Sequence, residues 1–487
     1  MSPQNEPRRP LAPLETLVLL AVVLLARILG ARFCHLYDDA FITFRYAGNL
    51  AGGLGMVFNP GASWEPVLGT TTPGYTALLA GCIKMGFEAA RASLTLNLAC
   101  DVASAWLLVL LLGRDRLRST LVVCGFALMP ELTRVSMGGM EAPVLCLLVL
   151  AATWCLGRNR IAAAGTLAAF ACTVRPEALI FIAVLLPGVV GSKARLVRFL
   201  TPIAIVGASY TILLIYVYGS PIPHSVTSKA QRHGGSPTLA TWLEIARQGL
   251  LPRLEYLPAL PFVLFGWVRA FRFAKSLRPL LLFALGILLA YLAARPHTWG
   301  WYYYLPLVAW VIALAFGLEP LLRAVARRAP ALARVGRLVA GVAALALLVG
   351  LYALRPSDPV TERVYRPIAE WAHEVRLAEQ GAVLLASDIG AIGYYGRSLV
   401  LDSEGLTCPP ALEFSSQVDM VVSTMPEYLL LTAVRAKIGP MRANEQVARG
   451  YYPIRRFSRS GATELEPRLE DLPDHWVQDY ILYRRRL

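Results

Sequence analysis

Charge is scarce in this sequence. Asp, Glu, Lys and Arg make up 16% of its 487 residues against 56% hydrophobic, and the mean hydropathy is +0.52. A soluble domain carries about 25% charged residues, so too little polar surface is available to face water. The apolar residues come in runs of bilayer length, without charged faces between them. A soluble fold is excluded. Metal-binding cysteine patterns are also lacking: there are eight cysteines, but no CxxC or His/Cys spacing suggests zinc. Cys82, Cys100, Cys124, Cys146, Cys155 and Cys172 lie in apolar segments, where a lone cysteine is a small core residue. Cys34 and Cys408 fall in the regions expected outside the cytoplasm, which leaves a bridge between them open.

The net charge of +15 would suit nucleic acid, but its placement argues otherwise. Basic residues cluster between apolar segments, at Arg8/Arg9, Arg114/Arg116/Arg118, Arg158/Arg160, Lys193/Arg195/Arg198, Arg269/Arg272/Lys275/Arg278 and Arg323/Arg327/Arg328/Arg334/Arg337. Loops rich in Lys and Arg stay cytoplasmic, so these clusters mark topology and no nucleic-acid partner is expected.

One path through the bilayer satisfies every cluster. Residues 1–13 are cytoplasmic, and Leu14–Leu29 is a first span: it is long for a signal segment and lacks an A-x-A exit. Residues 31–92 form a long outer loop. Further spans are expected near 93–112, 119–132, 142–157, 161–174, 178–191, 199–217, 256–268, 279–294, 302–318 and 338–354. The fold class is thus mainly α, a polytopic membrane bundle of about eleven helices over residues 1–355. Segment 73–87 is apolar but short; counting it as a span would put Arg114/Arg116/Arg118 outside, so it is expected to lie in or partly enter the bilayer. Several spans of 13–16 residues are shorter than the usual ~20, so they must lean on protein or stop at a water-filled cavity.

After Arg355 the composition becomes mixed in charge. Residues 356–487 read as an extracytoplasmic α/β domain, with a helix over 360–380 and strands at 382–386, 399–401, 428–431 and 477–483.

Chemistry concentrates in the first outer loop, at His35-Leu-Tyr-Asp-Asp-Ala-Phe-Ile-Thr-Phe-Arg-Tyr-Ala47. Two adjacent carboxylates, Asp38 and Asp39, follow a span, where ionisable groups are costly and therefore functional candidates. Ala40, Phe41, Phe44, Ala47 and Leu50 make the following helix amphipathic. One Asp would serve as a helix cap; two, beside His35 and Arg45, call for more.

These residues, with Gly52-Gly-Leu-Gly-Met-Val-Phe-Asn-Pro-Gly61, Glu65 and Thr70-Thr-Thr-Pro-Gly-Tyr75, resemble the first loop of GT-C glycosyltransferases, in particular the mycobacterial terminal arabinofuranosyltransferase group. Further matching pieces follow in order: Ser136-Met-Gly-Gly-Met-Glu-Ala-Pro143, Arg175-Pro-Glu177, Pro221-Ile-Pro-His224 with Lys229, Trp301-Tyr-Tyr-Tyr-Leu-Pro306 and Asp388-Ile-Gly-Ala-Ile-Gly-Tyr-Tyr395. The resemblance spans nearly the whole chain. Relatives often carry an acidic residue before Tyr-Thr-x-Pro-Leu, where this chain has Leu68-Gly-Thr-Thr-Thr-Pro-Gly74, a departure that bears on substrate more than on reaction type.

The resemblance implies an inverting transfer from a polyprenyl-phosphate sugar to a hydroxyl of an envelope glycan or glycolipid, in the bacterial inner membrane. Such a transfer needs a general base, for which Asp38 is favoured and Asp39 would position the acceptor. Cations must stabilise the leaving phosphate; the outer-facing candidates are Arg175, His224, Lys229, Arg295 and His297. Each has a plainer reading. Arg175 could pair with Glu141 or Glu177, His224 and Lys229 could be solvated loop residues, and Arg295 and His297 could snorkel beside Trp299 and Trp301. His35, Arg45, Glu65, Tyr75, Glu141, Glu177 and Trp299 are candidates to surround the acceptor or support the site. Asp101, inside a span, requires a partner that sequence does not name. No oxygen-ligand cluster suggests a metal, and no obligatory cofactor is expected beyond the donor itself. A transporter or flippase would be expected to show internal repeats, and none is detectable; a silent envelope assembly partner is the remaining alternative.

Overall fold

The computed structural model describes residues 11–113, 115–233, 239–251, 253–294, 298–328, 360–375, 381–461, 463–465, 467, 472–474 and 479–486. By its contacts the chain divides into two units: Met1–Cys34 with Leu94–Thr211 and Ser236–Arg355, and His35–Ser93 with Ile212–Gly235 and Pro356–Leu487. The segment His35–Ser93, from the loop expected on the outer face, thus belongs to the unit that contains the C-terminal residues, an assignment composition does not reveal.

Among the described residues, six helices are long and apolar enough to cross a membrane: Pro13–Ala31, Ala89–Leu112, Lys193–Tyr218, Leu254–Phe273, Lys275–Ala294 and Gly300–Arg328. Three shorter apolar helices, Ala142–Gly157, Ile161–Val174 and Ala178–Gly188, accompany them. The chain is therefore a multi-pass membrane protein, but the expected count of about eleven spans is not reached among the described residues. The expected span at 119–132 is a 13-residue helix, Arg116–Leu128, ended before Pro130; at 1.5 Å per residue it rises about 20 Å against a ~30 Å core. The expected span at 338–354 lies outside the described residues.

Small residues let the first unit pack closely. A Cβ on Gly266 would lie 1.8 Å from the Ala313 carbonyl oxygen, and one on Gly317 would lie 2.0 Å from that of Phe262, so these helices meet backbone to backbone. Buried charge is paired. Asp101 finds its partner in Arg27, whose Nε donates at 2.5 Å. The same guanidinium donates to Thr133 Oγ1 at 2.6 Å and to the carbonyls of Phe126 and Ala127, while Tyr304 donates to the other Asp101 oxygen at 2.5 Å. Glu319 gathers Arg118 (2.9 Å), Arg269 (3.2 Å) and Arg323 (2.8 Å), and Arg323 also holds Asp115 at 2.9 and 3.0 Å. Three basic clusters expected on one side of the membrane therefore converge on one acidic pair.

The second unit is built on a six-stranded sheet of order β2-β1-β3-β6-β4-β5. Its strands are β1 Val383–Ala386, β2 Leu399–Asp402, β3 Tyr428–Thr432, β4 Tyr451–Phe457, β5 Thr463–Leu465 and β6 Tyr480–Arg485. β1 is parallel to β2 and β3; the β3–β6, β6–β4 and β4–β5 pairs are antiparallel. The helix expected over 360–380 is a π-turn, Thr361–Tyr365, followed by Arg366–Glu374. Segment 73–87 forms a 12-residue helix, Pro73–Lys84, in this unit. Cys408 is a buried free thiol, so no bridge joins it to Cys34.

Candidate active site

Asp38 and Asp39 open the Asp38–Ala51 helix, where negative charge is favoured by the free amides of the first turn. Neither caps that helix: its N-cap is Tyr37, without a side-chain bond. Asp38 instead reaches across 352 residues to the Gly390–Gly396 helix. Its Oδ2 accepts from Gly390 N and its Oδ1 from Ala391 N, both at 2.8 Å. Glycine is required at 390, since a Cβ there would lie 1.8 Å from the Asp38 carbonyl oxygen. Aromatic contacts hold the two helices together, with Phe41 centred 5.7 Å from Tyr394 and 5.4 Å from Tyr395.

A third carboxylate completes the cluster. Asp388 Oδ2 accepts from Thr432 Oγ1 at 3.1 Å, and the Tyr480 hydroxyl also donates to this side chain. Burial first, then the neighbouring Asp388 and Asp39 charges, raise the Asp38 pKa to about 7 against the lowering pull of the two backbone amides. Asp388 is raised too, by burial and then by Asp39. The arrangement is a half-buried acidic group in which the Asp38 pKa is raised to about 7. Among the described residues no set of three His, Cys, Asp or Glu side chains is disposed to hold a metal.

The neighbouring candidates divide into braces and open groups. Arg45 is buried and donates to the carbonyls of Gly393 (2.7 Å) and Ser398 (2.8 Å), with its guanidinium 4.3 Å from the Phe58 ring centre. Burial lowers its pKa to about 9. Glu65 clasps its own loop, accepting from Phe58 N (3.1 Å), Asn59 N (2.8 Å) and Val67 N (2.6 Å). Tyr75 is buried and bonds Ser93 Oγ at 2.9 Å. His35 stands edge-on to Tyr37, 5.7 Å between ring centres. These contacts make Arg45, Glu65 and Tyr75 scaffolding of the loop.

His224 opens the His224–His233 helix, its backbone N–H donating to the Leu68 carbonyl at 2.8 Å. Its imidazole bonds the Gly405 backbone, while Nε2 is buried without a hydrogen-bond partner among the described residues; burial lowers its pKa. Lys229 is half-buried one turn further on. The intervening Ser228 ties this helix to the Glu404 carbonyl at 2.7 Å.

In the first unit, Arg175 is fully engaged. It donates to Glu141 at 2.5 Å and to both oxygens of Glu177 at 3.2 and 2.8 Å, with its guanidinium 4.5 Å from the Tyr302 ring centre. Tyr291 donates to Glu177 at 2.9 Å. Two carboxylates on one guanidinium leave no net positive charge for a phosphate. The enclosed space beside it, lined by Arg175, Glu177, Tyr291, Trp301 and Tyr302, is only about 10 Å³. Trp299 stacks on Trp301, 5.8 Å between centres. Arg295 and His297 lie outside the described residues.

Sequence reasoning missed Asp388, Thr432, Tyr480 and Tyr291 as members of these clusters. Asp388 stood in a quoted motif, but only the tertiary pairing brings it to Asp38.

Residues 357–480 match a family described as a domain of unknown function, DUF8728. No curated protein matches the sequence. Among solved structures, ArnT from Cupriavidus metallidurans in the apo state is similar, with a TM-score of 0.56 at 12% identity, covering 85% of this chain and 92% of that one. The same protein bound to undecaprenyl phosphate gives 0.55 at 12% identity over the same shares. This chain has an ArnT-like fold.

Proposed function

We propose that the chain is an inverting glycosyltransferase that moves a sugar from a polyprenyl phosphate to a hydroxyl of a cell-envelope glycan or glycolipid. The observation that carries the reading is the Asp38–Asp39–Asp388 carboxylate cluster on an ArnT-like fold. The neighbour crystallised with undecaprenyl phosphate supports a lipid-linked donor.

Asp38 acts as general base. A base is most effective when its pKa lies near the working pH, and Asp38 at about 7 meets that condition. The acceptor hydroxyl attacks the anomeric carbon while its proton passes to Asp38. The bond from that carbon to the phosphate oxygen breaks on the opposite face, and polyprenyl phosphate leaves with the electron pair. Asp39 orients the acceptor. Asp388 supplies the like charge that keeps Asp38 basic.

His224 and Lys229 face the leaving phosphate in this reading; the unpartnered buried Nε2 of His224 is a donor or acceptor awaiting a ligand. Arg175 is a brace, since Glu141 and Glu177 already neutralise it. The proposal includes a topology of about eleven spans in a bacterial inner membrane, with the N-terminus cytoplasmic and residues 356–487 outside. It also carries the arabinofuranosyltransferase likeness as one candidate donor class among several.

The test uses the full chain in nanodiscs with a panel of polyprenyl-phosphate sugars, decaprenyl-phosphoarabinose included, and a mixed acceptor pool. Release of polyprenyl phosphate and a product of inverted anomeric configuration by NMR are the expected results. Retained configuration would refute the single displacement. Transbilayer movement of intact donor without turnover would favour a flippase.

A further inference from the structure

One end of the first unit carries five cations whose side chains form no ion pair with a described residue. Arg158 and Arg160 flank the turn between the Ala142–Gly157 and Ile161–Val174 helices, and Lys193, Arg195 and Arg198 open the Lys193–Tyr218 helix. All five are exposed. The chain supplies no acid close to them in sequence: from Ala142 to Leu243 the only Asp or Glu is Glu177, which Arg175 holds. Elsewhere basic residues are matched, Arg116 by Glu15, and Arg118, Arg269 and Arg323 by Asp115 and Glu319.

Two close approaches gather these cations. A Cβ on Gly188 would lie 3.1 Å from Leu156 Cδ2, so that turn sits against the end of the Ala142–Gly157 helix, two residues before Arg158. From Gly188 the chain reaches Lys193 in five residues, folded back by bonds from Val189 N and Val190 N to the Leu186 carbonyl. Glycine at 165 then admits the second approach, since a Cβ there would lie 2.2 Å from the Phe199 carbonyl oxygen. Gly165 follows Arg160 by five residues and Phe199 follows Arg198 directly, so the two basic groups stand side by side. The first group is also pre-set. Its guanidiniums lie 5.5 Å (Arg158) and 5.4 Å (Arg160) from the centre of one ring, Trp154, whose N–H is enclosed without a hydrogen-bond partner among the described residues. A cation–π contact seats an arginine without neutralising it. Apolar surface adjoins the second group: Val190, Val197 and Leu200 are exposed, and only 6% of the most apolar stretch of the Lys193–Tyr218 helix is buried.

We propose that this end of the bundle binds an anionic phospholipid whose head group carries two phosphates, a diphosphatidylglycerol. One phosphate is received by Arg158 and Arg160 and the other by Lys193, Arg195 and Arg198, through charge-assisted N–H bonds. The acyl chains lie along the exposed apolar face of the Lys193–Tyr218 helix. Free phosphate would meet the cations but leave that face unused, and the single phosphate of phosphatidylglycerol would reach only one group. A topology signal needs positive charge on one side of the membrane; it does not need two arginines seated on one indole beside a second basic group.

Native mass spectrometry of the full chain in detergent, titrated with diphosphatidylglycerol, phosphatidylglycerol or phosphatidylcholine, measures the affinity of the first bound lipid. Diphosphatidylglycerol is expected to bind at least about tenfold more tightly than phosphatidylcholine, with phosphatidylglycerol between them. Arg158→Gln/Arg160→Gln and Arg195→Gln/Arg198→Gln should each weaken diphosphatidylglycerol by about tenfold or more. Arg272→Gln/Lys275→Gln, which removes the same charge from another exposed cluster, should change it by less than about twofold. Equal losses in all three double variants overturn the site, since charge alone would then set the affinity. Diphosphatidylglycerol that binds no better than phosphatidylcholine overturns it as well. Phosphatidylglycerol as tight as diphosphatidylglycerol overturns the two-phosphate assignment, and inorganic phosphate that displaces the lipid at equal concentration overturns the lipid as occupant.

Discussion

Replacing Gly390 with alanine tests the join on which the acidic cluster depends. The new Cβ would fall 1.8 Å from the Asp38 carbonyl oxygen and 2.6 Å from its carbon, against backbone that no side-chain rotation can clear. To restore ordinary contact the Gly390–Gly396 helix must retreat by more than about 1 Å. The two 2.8 Å bonds from Gly390 and Ala391 to Asp38 would then pass out of hydrogen-bond range. Hydrogen bonds to charged groups contribute about 1.5–3 kcal/mol each and overpacking costs about 1–3 kcal/mol. The terms are not additive, so a local cost of about 2–5 kcal/mol is expected. Losing two amides that favour the anion also raises the Asp38 pKa above about 7, so the variant needs higher pH for the same ionised fraction. Hydrogen exchange should show protection at residues 390 and 391 falling at least about tenfold, and the rising limb of rate against pH should move to higher pH. Unchanged protection together with an unchanged limb would refute the geometry and the base assignment at once.

Other substitutions probe the remaining joints. Asp388→Asn removes a like charge beside Asp38, so the rising limb should move to lower pH in a pH–rate profile; a shift the other way would show that Asp388 does not act on Asp38 as a charge. Arg27→Met leaves Asp101 buried without its cation and should cost about 3–5 kcal/mol in detergent unfolding, with part recovered in Arg27→Met/Asp101→Asn. Gly266→Ala should destabilise by about 1–3 kcal/mol, because its Cβ meets the Ala313 carbonyl at 1.8 Å. Arg175→Gln should lower stability while the donor KM of the surviving fraction stays near wild type; a large KM rise would restore Arg175 as a phosphate ligand.

The sequence carried the membrane character and the position of the acidic motif, because bilayer-length runs and costly carboxylates are local signals. Strands β1, β2, β3 and β6 were legible for the same reason: short apolar runs between turns. β4 was missed because Tyr451–Phe457 carries Pro453, Arg455 and Arg456 and alternates poorly. The count of about eleven spans is not reached among the described residues: Arg116–Leu128 has the composition of a span without its length, three others are short apolar helices, and 338–354 lies outside the described residues. Asp38 was read as base or own-helix cap; that it caps a helix 352 residues away depends on tertiary pairing no spacing rule contains. Arg175 was recognised as either phosphate ligand or ion-pair partner, and only the observed distances to Glu141 and Glu177 separate the two.

The central claim is that a carboxylate of the first loop takes the acceptor proton. It is tested most directly by sugar transfer from the best donor of the panel, comparing wild type with Asp38→Asn and Asp39→Asn. Monodispersity and hydrogen exchange at residues 390 and 391 would confirm that each variant is folded. Loss of a general base costs about 10²–10⁴-fold. The account requires a fall of that size in Asp38→Asn at unchanged donor affinity, with a smaller fall in Asp39→Asn. Folded Asp38→Asn and Asp39→Asn that both transfer sugar at the wild-type rate would contradict it.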